Sequence, residues 1–144
     1  MNSQTITPSL ARHVRERASD LCEYCQLPQG SQEATFHVDH ISPRAAGGPT
    51  TLDNLALACV SCSLRKAARR DSVDPRTSLR VPLFHPRADI WSDHFRWSPS
   101  WQLVGRTPKG RATIAALRMN RPAIIEIRKQ LVRLAKFPPS LRLK

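Results

Sequence analysis

Hydrophobic and polar positions divide this chain into short periodic pieces separated by turn-forming residues. Leu10, Val14 and Ala18 recur at helical spacing and predict one apolar face of a helix over residues 8–19. Thr7 followed by Pro8 supplies an N-cap and a first-turn proline. Residues 35–41 have the β-branched and aromatic content of a strand, and residues 55–58 form a short apolar piece. Residues 61–70 then predict a helix with a basic outer face. Residues 27–34 and 43–50 hold the prolines and glycines of loops. Residues 71–80 are polar and read as a linker. Residues 94–97 and 101–104 flank Ser98-Pro99-Ser100 and predict a hairpin. Thr107-Pro108 opens a helix to about residue 119, and Arg121-Pro122 opens another to about residue 136. On the last helix Ile124, Ile127, Leu131 and Leu134 follow helical spacing, with Arg128, Lys129 and Arg133 elsewhere on its surface. The pattern is α+β: an N-terminal helical segment (1–20), a small central module (21–71) and a basic hairpin-plus-helices extension (72–144).

Length and charge narrow this picture. The chain of 144 residues fits one domain, or a small module with an extension. Its formal charge of +12 calls for a polyanionic partner. Residues 105–144 hold eleven Lys and Arg against one acid, Glu126, and a second knot, Arg65, Lys66, Arg69 and Arg70, follows the last cysteine. A solvated face is the bland alternative; nucleic acid accounts better for so lopsided a balance. The longest wholly apolar run, residues 55–60, is far too short to span a bilayer. The first ten residues lack the apolar core and early basic cluster of a secretory signal. A cytoplasmic location, where thiols stay reduced, is therefore the expectation.

The four cysteines carry the strongest chemical signal. Cys22-x-x-Cys25 and Cys59-x-x-Cys62 are two tight pairs with 33 residues between them. Each turn aims two sulfurs at one point, and two turns supply the four thiolates that structural Zn²⁺ favours. Two disulfides or four ordinary buried thiols are the alternatives. A unit of about fifty residues buries little core, so a metal staple is physically expected. Between the pairs lies His37-Val38-Asp39-His40 at the end of the predicted strand. Hydrolysing a phosphodiester needs a water made nucleophilic, which an imidazole can do near neutral pH. It also needs developing negative charge neutralised, which a carboxylate-held divalent cation can do. Adjacent strand residues point to opposite faces, so Asp39 and His40 suit a division of labour, while His37 shares the face of Asp39.

Cys22-Glu23-Tyr24-Cys25, Val38-Asp39-His40-Ile41 with Pro43-Arg44, Gly47-Gly48, Asp53-Asn54-Leu55, and Cys59-x-x-Cys62 with Lys66 together resemble the HNH nuclease family. Residues 22–70 carry the resemblance. It implies a ββα-metal fold, a structural zinc, one catalytic divalent cation such as Mg²⁺, Mn²⁺ or Ni²⁺, and cleavage of DNA, double-stranded by expectation, to 5′-phosphate products. By the same alignment His40 is the general base, Asp39 the ligand of the catalytic cation, and Asn54 the residue bracing the loop behind the base. Ser63 stands where the family carries a His or Asn ligand, and a serine hydroxyl is the weaker donor; His37 could compensate, an ordinary surface histidine being the alternative.

Arg44, Arg65, Lys66, Arg69, Arg70, Arg128, Lys129 and Arg133 are the candidate nucleic-acid contacts. Trp91, Phe95, Trp97 and Trp101 could stack on bases, although apolar packing is the better reading. His85 and His94 lack partners at ligand spacing. The leading function is a metal-dependent DNA endonuclease. Its alternatives are a zinc-stabilised nucleic-acid-binding module without cleavage, and an interaction protein whose basic tail docks an acidic partner.

Overall fold

Thr7 caps the first helix, its Oγ1 accepting from the Leu10 amide at 3.2 Å. In the computed structural model, which describes residues 5–139, this helix is α1, Pro8–Arg17. Arg142 and Lys144 of the basic tail, and the first four residues of the N-terminal segment, lie outside the described residues. Val14 is fully buried, with Leu10 and Ala18 packed partly buried against the same core. The helix stops short of the expected end because Ser19 and Asp20 adopt positive φ and turn the chain. Arg17 ties α1 to the module by donating to the carbonyls of Leu52 at 2.8 Å and Leu55 at 2.7 Å.

The central module is two strands and a helix. β1, His37–His40, pairs antiparallel with β2, Leu55–Ala58, placing His37 opposite Ala58 and His40 opposite Leu55. The predicted strand over 35–41 is thus shorter at both ends. The Phe36 amide is taken by the Gln29 side chain at 2.8 Å, and the Ile41 amide by the Asn54 carbonyl at 2.8 Å. β2 is buried along its whole length, as expected for a strand covered on both faces. α2, Val60–Lys66, follows and is capped by the sulfur of Cys59, which accepts from the Cys62 amide at 3.4 Å.

Two sequence expectations are corrected here. The helix expected to reach residue 70 ends at Lys66, where Ala67 takes φ 48°. The polar stretch 71–80 is no linker. β3, Asp71–Val73, pairs with β4, Arg80–Pro82. Its turn is built around Asp74, which is fully buried and accepts from Arg76 N at 3.0 Å, Thr77 Oγ1 at 2.9 Å and both Nε and Nη2 of Arg111.

A short helix, α3 (Trp91–His94), leads to the expected second hairpin, β5 (Phe95–Trp97) with β6 (Leu103–Gly105). α4, Pro108–Leu117, is capped by Thr107, and α5, Pro122–Arg133, completes the order. Gly110 lets α4 approach this hairpin; a Cβ there would sit 2.1 Å from the His94 carbonyl oxygen. Trp91, Phe95, Trp97, Trp101 and Phe137 form a run of ring contacts at 5.0–6.2 Å, so these aromatics pack on one another.

On α5, Ile124 and Leu131 are buried, but Leu134 lies beyond the helix and is 62% exposed. Arg128, expected on the surface, is fully buried. Its guanidinium donates to the Trp101 carbonyl at 3.0 Å, to Asn120 Oδ1 at 3.1 Å and to the Met119 carbonyl, and lies 5.0 Å from the Trp97 ring centroid. One buried cluster runs from Val14 through the cysteines and β2 to Phe84, Phe95, Leu117 and Leu131. No described helix is long and apolar enough to cross a membrane.

Candidate functional site

The four cysteines converge. All are buried and free of disulfides, and their sulfurs lie within 4.8 Å of one another. Cys25 Sγ and Cys59 Sγ are 3.8 Å apart, the edge expected of a tetrahedron of sulfurs about 2.3 Å from a central Zn²⁺. The amides of Cys25 and Cys62 each donate to the first sulfur of their own pair at 3.4 Å. Crowding of the thiols splits their acidities. Hydrogen bonds from Cys22 and the other two favour the Cys59 thiolate, and hydrogen bonds with Cys22 foremost push Cys25 and Cys62 well above the ordinary thiol range. The donor set therefore suits a single thiophilic divalent cation.

Strand alternation places His37 and Asp39 on one side of β1, toward α2. His37 Nδ1 and Ser63 Oγ are 2.8 Å apart, and Ser63 is near enough to Asp39 to favour its ionised form. Asp39 Oδ2 is buried without any hydrogen-bond partner. Burial raises the Asp39 pKa, opposed first by the nearby Lys66 cation, then by Ser63, His37 and His40. An orphaned carboxylate oxygen is costly unless a cation or a water meets it, so this site fits a divalent ion. The geometry is open rather than caged: among the described residues, the group of at least three His, Cys, Asp or Glu side chains that converges is the cysteine set.

His40 sits at the end of β1, its Nε2 2.8 Å from Thr50 Oγ1. Burial lowers its pKa, with Arg44 and Lys66 pushing the same way and Asp39 opposing, so the imidazole is neutral near physiological pH. Asn54 is buried behind it. Its Nδ2 donates to the carbonyls of Ser42 at 3.0 Å and Pro49 at 2.8 Å, and its Oδ1 accepts from the Ser42 amide at 2.9 Å. These bonds close the loop between β1 and β2. Gly48 permits the closure, because a Cβ there would lie 1.8 Å from the Ser42 carbonyl oxygen.

The candidate nucleic-acid contacts divide. Arg44, Arg69, Arg70 and Arg133 are exposed, and Arg65 and Lys129 are half-buried. Lys66 is only 2% exposed, donating to the carbonyls of Ile41 at 2.9 Å and His40 at 3.2 Å. Lys66 and Arg128 are therefore interior cations, which corrects their assignment as phosphate contacts. His85 and His94 are absorbed locally: His85 Nδ1 accepts two backbone amides at 3.1 Å, and His94 Nδ1 lies 2.7 Å from Thr107 Oγ1.

Sequence reasoning missed three participants. Thr50 meets His40 from within a proline- and glycine-rich loop, with no signal of its own. Tyr24 buries a hydroxyl without a partner; burial, then Asp39, Cys22 and Cys62, push its pKa well up. Glu23, noticed only within a motif, accepts from the Leu57 amide at 2.8 Å and pairs with Arg87.

The family model described as HNH endonuclease matches residues 22–69. This segment holds both cysteine pairs, Asp39, His40, Asn54 and Ser63. No curated protein and no solved structure matches the chain.

Proposed function

We propose that this protein is a metal-dependent endonuclease that hydrolyses DNA phosphodiester bonds at the end of β1. The single observation that carries this reading is the buried, unpartnered Asp39 Oδ2 next to His40, whose Nε2 meets Thr50, within a segment that matches a nuclease family.

With Nε2–H donating to Thr50 Oγ1, Nδ1 is the ring nitrogen that takes a proton from water. That water attacks phosphorus, the bond to the 3′-oxygen breaks, the leaving oxygen takes a proton from solvent to become a 3′-hydroxyl, and the 5′-phosphate stays on the product. Asn54 is a positioning residue: by fixing Ser42 and Pro49 it holds the loop that presents Thr50 to His40. Asp39, with Ser63 and His37, would hold Mg²⁺, Mn²⁺ or Ni²⁺, which when bound neutralises charge developing on the phosphate and the leaving oxygen. The cysteine set would hold Zn²⁺ as a structural staple. Arg44, Arg69 and Arg70 supply phosphate contacts on duplex DNA.

The test is nicking of supercoiled plasmid by zinc-loaded protein, with and without added divalent cation. Cation-dependent relaxed circles that His40→Ala protein does not produce support the reading. Wild-type protein that binds duplex but nicks nothing with Mg²⁺, Mn²⁺ or Ni²⁺ would instead favour a zinc-stabilised binding module. The bond between His37 and Ser63, which occupies a donor of the cation site, is the observation favouring that second reading.

A further inference from the structure

We propose that the outward face of the β3–β4 hairpin docks duplex DNA and extends the substrate footprint beyond the segment that matches the nuclease family. The inference rests on the endonuclease reading but concerns residues which that reading does not use.

The hairpin has two unlike faces. Its central pair, Ser72 with Val81, is half-buried where the ribbon packs on α4. Asp71, Val73, Arg80 and Pro82 alternate to the opposite side and are not buried. Leu79 is 65% exposed and Val73 41% exposed, so the ribbon also presents aliphatic surface. Arg76 is exposed in the turn. The positive surplus on this side comes from Arg76 and from Arg69 and Arg70 at the hairpin base, and Asp71 offsets only Arg80. Asp74 is fully buried on Arg111, and Asp71 meets Arg80 at 2.7 Å in a pair whose side chains are more than half exposed. Such a pair is weak and can exchange for phosphate.

Position connects this face to the nuclease site. A cleft of about 140 Å³ is lined by Ile41 and Ser42, just past His40, and by Arg69, Arg70 and Pro82 at the hairpin base. Arg70 also lines two further clefts, of about 530 and 310 Å³, shared with Asp71 and Arg80. A basic path thus leads from the strand end onto the ribbon. Duplex DNA is the occupant the chemistry favours. Single strands are held by stacking on aromatic rings, and residues 71–82 contain none. A two-stranded ribbon with arginines and aliphatic side chains is instead suited to a groove and its flanking phosphates. The Asp74–Arg111 pair holds the turn in place beforehand, so little ordering is needed on binding.

The experiment measures anisotropy of a labelled 30-base-pair duplex against salt, with zinc-loaded full-length protein and no added divalent cation. Wild type is compared with Arg76→Ala/Arg80→Ala, with Arg76→Glu/Arg80→Glu, and with Arg96→Ala, an exposed arginine on β5. Each lost phosphate contact flattens the plot of log affinity against log salt by about 0.9, so the double alanine variant should lose close to 2 in slope and roughly tenfold in affinity. The charge reversal should lose more, and Arg96→Ala little. Wild-type binding with unchanged slope and affinity in both double variants overturns the hairpin inference alone. Wild-type protein that binds no duplex overturns the endonuclease reading with it. Thermal melts of the variants at wild-type temperature exclude misfolding as the source of a loss.

Discussion

His37 Nδ1 lies 2.8 Å from Ser63 Oγ, joining β1 to α2 on the side of the strand that Asp39 shares. The contact makes one donor pair of two individually weak candidates. If both serve the cation beside Asp39, His37→Ala should raise the Mg²⁺ concentration for half-maximal nicking several-fold. Ser63→Asn should hold or raise activity at limiting Mg²⁺ and partly rescue His37→Ala. Nicking rates over a Mg²⁺ titration measure this; identical titrations for wild type and His37→Ala would remove His37 from the site.

His40→Ala should slow cleavage by about 10²- to 10⁴-fold, the usual worth of a positioned general base, while duplex affinity changes little. Asp39→Ala should also lose cleavage. Single-turnover rates beside anisotropy titrations separate chemistry from binding. Nicking by His40→Ala protein at close to the wild-type rate would refute the assignment.

Reduced, freshly purified protein should contain one tightly bound zinc, measurable by elemental analysis. Structural zinc in small peptides contributes apparent free energies of about 10–16 kcal/mol at neutral pH. Cys25→Ser or Cys62→Ser should therefore abolish cooperative unfolding. Full stability in zinc-free protein would contradict the staple.

Hydrogen bonds from Arg111 hold the Asp74 carboxyl below the usual carboxylate range. A depressed carboxylate stabilises the fold fully above its unfolded pKa near 3.9, and that contribution fades as acid lowers the pH toward the folded value. Asp74→Asn should lower Tm at pH 7, and the gap from wild type should narrow below about pH 4. A gap that stays constant between pH 3 and 7 would show that the charge is not what matters.

Arg128→Ala should cost roughly 2–4 kcal/mol of stability, because three acceptors and the Trp97 face lose a buried cation together. Arg133→Ala, at an exposed position on the same helix, should stay within about 0.5 kcal/mol of wild type. Denaturant midpoints compare the two. Deleting residues 121–144 would remove core as well as charge, so it cannot test a basic arm.

Much of the fold was legible because its signals are local. Thr7-Pro8 and Thr107-Pro108 announce their helices, and the Cys-x-x-Cys turns announce the sulfur cluster. What escaped is decided at a distance. Residues 61–70 have helix-forming composition throughout, yet the helix stops where Lys66 reaches back to the carbonyls of His40 and Ile41. Residues 71–80 are ordered around Asp74, which answers Arg111 37 residues away, and such pairing leaves no periodic trace. Arg128 was read as surface because charge is the usual mark of solvent. At the site, strand alternation brought out His37 with Asp39, but Thr50 reaches His40 only through loop closure by Asn54.

Leu117, Met119 and Ile124 line the small hollow beside Cys25, Cys59 and Cys62, while Trp91 donates to the Tyr24 carbonyl at 2.8 Å. The stretch that can be inherited as a nuclease motif therefore differs from the stretch that closes around itself. Cut out and grafted elsewhere, residues 22–69 would carry a metal knuckle with an oily, roofless side and a Glu23 that has lost Arg87. Recombination that exchanges the motif between lineages would have to bring a matching roof, or evolve one, before the borrowed chemistry could be used.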